Sequence, residues 1–74
     1  VKIFPNPNPG QFEVQLPQDL RARNWPFRIH DNRGALIYSG TTGRAQVLSL
    51  DLSYLPTGVY SFSVQGYSSL FLKY

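Results

Sequence analysis

Apolar and polar residues alternate along most of this chain with a period of two. Phe12, Val14 and Leu16 interleave with Gln11, Glu13 and Gln15. Trp25, Phe27, Ile29 and Asp31 interleave with Arg28 and His30. Leu48, Leu50 and Leu52 interleave with Ser49 and Asp51, and Tyr60, Phe62 and Val64 with Ser61, Ser63 and Gln65. This is the pattern of strands with one face buried and one face wet. Lys2-Ile3-Phe4 predicts a short opening strand, Ala35 to Ser39 a strand returning beside Trp25–Asp31 as a hairpin, and Leu70 to Tyr74 a last strand. That last strand sets Leu70, Leu72 and Tyr74 on one face and Phe71 and Lys73 on the other. Only Gln18 to Arg23 has helical character, and it is too short for more than one turn. About seven short strands between turn signals predict an all-β fold, an antiparallel β-sandwich of immunoglobulin-like type. A five-stranded barrel is the structural alternative.

Three turn motifs punctuate the strands. In Pro5-Asn6-Pro7-Asn8-Pro9-Gly10 the prolines fix φ near −65° and push Asn6 and Asn8 into extended conformations. Gly10 supplies a position tolerant of φ > 0, and the whole predicts a stiff entry loop. In Asp31-Asn32-Arg33-Gly34 the aspartate sits where an Asx-turn needs an acceptor, and Gly34 sits where the chain re-enters a strand. Asp51-Leu52-Ser53 precedes Leu55-Pro56-Thr57-Gly58-Val59-Tyr60, which predicts a sandwich corner. There Leu55 plugs the core, Pro56 and Gly58 shape the turn, and the Tyr60 hydroxyl reaches back to an upstream backbone group. Gly40 to Gly43 is expected to be a loop, and Gly66 a further turn.

Composition narrows the possibilities. Seventy-four residues allow one small domain. Such a domain buries only about 60% of its unfolded surface, so its core is thin. The chain has no cysteine, which excludes disulfides and thiolate metal sites. No apolar run approaches the ~20 residues that span a bilayer as a helix. The net charge of +3 comes from scattered basic residues without a run, a solvated face more than an anion-binding patch. The chain starts at Val1, without Met or a recognisable signal peptide, and is expected to be part of a larger protein.

Candidate chemistry is sparse. His30 and Asp31 are adjacent on a strand and point to opposite faces, so they do not form a catalytic pair. One histidine and four scattered carboxylates have no metal-ligand spacing, and the serines lack a base. No phosphate-cradling glycine loop and no cofactor motif occurs. The aromatic residues fall mostly on apolar strand faces, as core rather than as a nucleic-acid stacking platform. Leu55-Pro56-Thr57-Gly58 is not the Leu-Pro-x-Thr-Gly signal of Gram-positive cell walls. The residue between Pro and Thr is missing, and an amphipathic strand follows in place of an apolar segment and basic tail.

As a set, the three turns resemble the type A C-terminal sorting domain of the type IX (Por) secretion system of Bacteroidetes. The family's opening Pro-Asn-Pro-x-x-Gly matches Pro5, Asn6, Pro7 and Gly10. Its central Asp-x-x-Gly matches Asp31 and Gly34, with the following apolar position at Ile37. Its Asp-Leu-Ser-x-Leu-Pro-x-Gly-x-Tyr matches Asp51, Leu52, Ser53, Leu55, Pro56, Gly58 and Tyr60. The family's apolar, lysine-bearing tail matches Leu70, Phe71, Leu72, Lys73 and Tyr74, with the departure that Lys73 is the only lysine there. The resemblance covers the whole chain, so residues 1–74 are expected to be one C-terminal sorting domain of a larger secreted protein.

The resemblance implies a non-catalytic export signal for an N-terminal cargo domain, with neither metal nor cofactor and no nucleic-acid partner. It implies passage through the periplasm, recognition by the type IX translocon and outer-membrane shuttle proteins, and delivery to the cell surface or medium. A sortase-like cysteine peptidase at the surface is expected to remove the domain, cutting at or before Val1. Leu70 to Tyr74, expected to form an edge strand, is the candidate recognition segment, because an edge offers unpaired backbone groups for strand addition. A homodimer formed by strand exchange is a further possibility. The competing expectation is an immunoglobulin-like accessory or ligand-binding sandwich appended to a secreted enzyme or adhesin.

Overall fold

The computed structural model describes residues 1–74. Seven strands form two antiparallel sheets: β1 (Lys2–Phe4), β2 (Gln11–Gln15), β3 (Pro26–Asp31), β4 (Leu36–Thr41), β5 (Val47–Asp51), β6 (Gly58–Val64) and β7 (Tyr67–Lys73). One sheet has the order β1-β2-β5 and the other β4-β3-β6-β7. The only helical residues are the 3-10 turn Gln18–Leu20, which tucks Leu20 into the core. This is the all-β, immunoglobulin-like sandwich expected from the alternation, and the two separate sheets replace the single-barrel alternative.

The inward positions are the ones the period-two pattern marks. Val14, Ile29 and Phe62 are fully buried, with Phe12, Leu16, Phe27, Leu52, Tyr60 and Val64 around them. The Phe27 and Phe62 rings stack at 5.1 Å within one sheet. The Phe12 and Phe71 rings meet at 4.6 Å and join the two sheets. Each large apolar side chain buried this way contributes roughly 1.5–3 kcal/mol.

Strand ends differ from expectation at several places, and three of the differences bear on packing. β4 runs through Gly40 and Thr41, which were expected to be loop. A Cβ on Gly40 would lie 3.0 Å from the Phe27 ring, so the glycine lets that ring pack directly on the strand backbone. β3 starts at Pro26, one residue after Trp25, which is half-buried against the core. β7 starts at Tyr67, three residues before the expected strand. Its early start is supported by the Tyr67 hydroxyl, which donates to both Asp19 carboxylate oxygens at 3.0 and 3.2 Å.

Candidate functional site

The three turns and the last strand meet at one end of the sandwich. Asp31 opens the second turn: its Oδ1 accepts from the Arg33 and Ala35 amides at 2.9 and 3.0 Å, while Oδ2 faces the Arg33 guanidinium at 3.0 Å. The guanidinium, then the Ala35 amide, hold its carboxyl below the usual aspartate range. Asp51 does the same for the third turn. The Ser53 hydroxyl and amide donate to its Oδ1 at 2.8 and 3.1 Å, and in that order of weight they lower its pKa. Tyr60 donates its hydroxyl to the Pro56 carbonyl, which closes the sandwich corner. Leu55 is half-buried against the core.

The turns are packed on one another. Leu52 N–H donates to the Gly10 carbonyl at 2.7 Å, which seats the first turn against the third. Gly10 has φ +105°, and a Cβ there would fall 2.6 Å from Ser53 Cα and 2.8 Å from Ser53 N, so only glycine fits. Tyr60 pairs with Asp31 across β3–β6 and with Phe71 across β6–β7. Asp31, Arg33, Pro56 and Tyr60 line a hollow of about 180 Å³ between the second and third turns. A larger hollow of about 370 Å³, lined by Pro26, Arg28, Ser63 and Tyr67 among others, lies at the opposite end of β6.

The first turn is more than a stiff loop. It leaves β1 in one sheet, runs parallel to β7 in the other, and returns as β2. Asn8 N–H donates to the Leu72 carbonyl, and Tyr74 N–H to the Asn8 carbonyl, both at 2.9 Å. The Asn6 carboxamide donates to the Leu70 carbonyl at 3.1 Å and accepts from Leu72 N–H at 3.0 Å. It spans these two groups as a peptide unit of a neighbouring strand would. The Asn8 side chain is fully buried and locks the turn itself, donating to the Pro5 carbonyl and accepting from Gly10 N–H. β7 is the edge of its sheet, as expected, but its outer backbone groups from the Leu70 carbonyl to the Tyr74 amide are taken. The expected row of free backbone groups on Leu70–Tyr74 is therefore absent in this conformation.

What the last strand presents is its side chains. Phe71 and Lys73 face inward, and Leu70, Leu72 and Tyr74 face outward, at 64%, 42% and 64% exposure. Val59 pairs with Leu72 and is likewise exposed, and Leu70 pairs with Ser61. An apolar strip thus runs along β6–β7 beside the turns. Buried Lys73 places its ammonium against the Tyr74 carbonyl at 3.2 Å, so the tail's one lysine is not a free surface charge. Sequence reading missed Val59 as a member of this strip, although its alternation with Tyr60 carried the signal. It also missed Asn6 and Asn8 as partners of the last strand, for which local sequence holds no signal. No three of the histidine and carboxylate side chains come together, so the chain offers no metal-holding cluster.

Residues 2–73 match the family model described as "Secretion system C-terminal sorting domain". Among curated proteins none matches this sequence. Among solved structures, the chain is similar to a single mutant of the thermostable endoglucanase from Alicyclobacillus acidocaldarius, with TM-score 0.58 and 16% identity over 93% of this chain and 13% of that one. It is also similar to AaCel9A in complex with a cellobiose-like isofagomine, with TM-score 0.57 and 17% identity over 86% of this chain and 12% of that one. At such identities the likeness is one of fold, to a small part of each much longer chain.

Proposed function

The chain belongs to the family of type IX secretion-system C-terminal sorting domains, and from that premise we propose that it carries an N-terminally attached cargo across the outer membrane of a Bacteroidetes cell. Membership of the family implies a non-catalytic signal that acts with the secretion machinery and leads to the cell surface or the medium. In the proposed route the cargo crosses the periplasm, and the folded domain is bound by the translocon and its outer-membrane shuttle proteins. A sortase-like cysteine peptidase then cuts at or before Val1. The observation that carries the reading is the family match along residues 2–73, whose motif residues build one packed end of the sandwich.

The recognition surface in this proposal is the outward row Leu70, Leu72 and Tyr74, with Val59 beside it. Apolar side chains clustered next to satisfied turns are the kind of surface that marks a protein contact. Phe71 and Lys73 support the row from inside. The test is export of a fluorescent reporter with an N-terminal signal peptide in a Bacteroidetes host. One version carries residues 1–74 behind a linker, a second has Leu72→Asp, and a third has Arg23→Glu and Arg44→Glu at the far end. Surface or medium fluorescence from the first and third, but not the second, is expected. Periplasmic retention of all three, with the machinery active on another cargo, would overturn the sorting role. Export of all three would keep that role and move recognition away from β7.

A further inference from the structure

The hydrogen bonds at the outer edge of β7 assign a second duty to the first turn. Leu72 directs both its N–H and its C=O away from β6, and both are taken, by Asn6 and Asn8. Without those partners, Leu72 would present the donor and acceptor with which two antiparallel strands form a reciprocal pair. Such a pair is self-complementary: Leu72 of one copy would bond Leu72 of another about a twofold axis. The outward side chains of the strand, Leu70, Leu72 and Tyr74, carry no charge to oppose this. The turn itself does not pass the edge on, because Pro5, Pro7 and Pro9 have no N–H to offer a further strand. Behind it, Lys73 turns its charge inward on the edge strand, with its ammonium on the Tyr74 carbonyl, and an inward-pointing charge is a recognised device against edge pairing.

We infer that the Pro5–Gly10 turn is an edge guard for β7, occupying the backbone groups at which a second copy of this chain would add, with Lys73 as its reserve. This goes beyond the export reading and is tested without export. Asn6 is the residue to change, because it is exposed and its side chain bonds only the β7 backbone. Asn8 is buried and holds the turn together, so its loss would confuse guarding with folding.

The experiment is amide hydrogen exchange and sedimentation on the 74-residue chain, for wild type, Asn6→Ala, and Asn6→Ala with Lys73→Gln. Circular dichroism confirms that each retains its strands. In wild type the Leu72 amide exchanges slowly and the chain sediments as a monomer. In Asn6→Ala, measured at low concentration, Leu72 exchange rises about tenfold, as expected for one lost hydrogen bond. The Phe71 and Lys73 amides, which face β6, stay protected. In the double variant a second copy has only the Asn8 backbone bonds left to displace, so the chain associates as concentration rises, and more tightly than Asn6→Ala. A double variant that keeps its strands and remains monomeric at every concentration would overturn the guard, as would a wild type that already sediments as a dimer. Equal Leu72 exchange in wild type and Asn6→Ala would show that Asn6 does not occupy the Leu72 amide, and would overturn its part in the guard.

Discussion

Gly10 and Gly34 share a positive φ, +105° and +82°, but their surroundings differ. Nothing lies within 4 Å of a Cβ built on Gly34, whereas one on Gly10 strikes the backbone of Leu52 and Ser53. Gly34→Ala should therefore lose only the left-handed strain, about 1–2 kcal/mol. Gly10→Ala adds a backbone overlap and should lose about 3 kcal/mol or more. Urea unfolding of the two variants checks the order, and equal losses would mean that the turns do not press on each other. The turn aspartates supply a pH dependence. Asp31 and Asp51 titrate lower in the folded chain than in the unfolded one, so their contribution is complete above the unfolded pKa of about 4. It is lost as pH falls through the folded values. The urea midpoint should hold between about pH 7 and 5 and fall below about 4, and Asp31→Asn with Asp51→Asn should flatten that fall. Tyr67 has the opposite sign. Its phenol donates to Asp19 and its pKa is raised, so this tie persists below about pH 10 and is lost above.

At the scale of the element, β7 separates folding from presentation. The alternation of the last residues was legible in the sequence, but not which face turns inward, since Leu70, Leu72 and Tyr74 are more apolar than Phe71 and Lys73. Register with β6 decides it: Tyr60 opposes Phe71, and their rings stack at 5.7 Å on the core side. Lys73 follows Phe71 inward and covers apolar surface with its stem while its ammonium finds a carbonyl. Phe71→Ala should cost about 3–5 kcal/mol, because it opens a cavity beside Phe12 and Tyr60. Leu72→Ala should stay within about 0.5–1 kcal/mol, being half outside the fold. Thermal unfolding of the two variants distinguishes them. A large loss for Leu72→Ala would make the outward row structural.

At the scale of the molecule, the two sheets close differently on their two sides. On one, the β1–β2 connection crosses from sheet to sheet and binds the edge of β7. On the other, β4 passes to β5 through Thr42, whose buried hydroxyl accepts from Trp25 N–H and donates to the Arg23 carbonyl. A chain too small for a deep core is held at both sides by short connections that carry hydrogen bonds between distant segments.

The number of strands, the inward faces of β2, β3 and β6 and the chemistry of the second and third turns followed from the sequence alone, because each depends on residues within a few positions: a period of two, an aspartate ahead of a glycine, a tyrosine four residues after the proline it bonds. The same locality made the family motifs readable. The partners of Asn6 and Asn8, the inward turn of Lys73, the run of β4 through Gly40 and the meeting of three turns at one end were decided only by the tertiary structure. Each joins segments far apart in the chain, and a hydrogen bond across 64 residues leaves no periodicity or spacing from which it can be read.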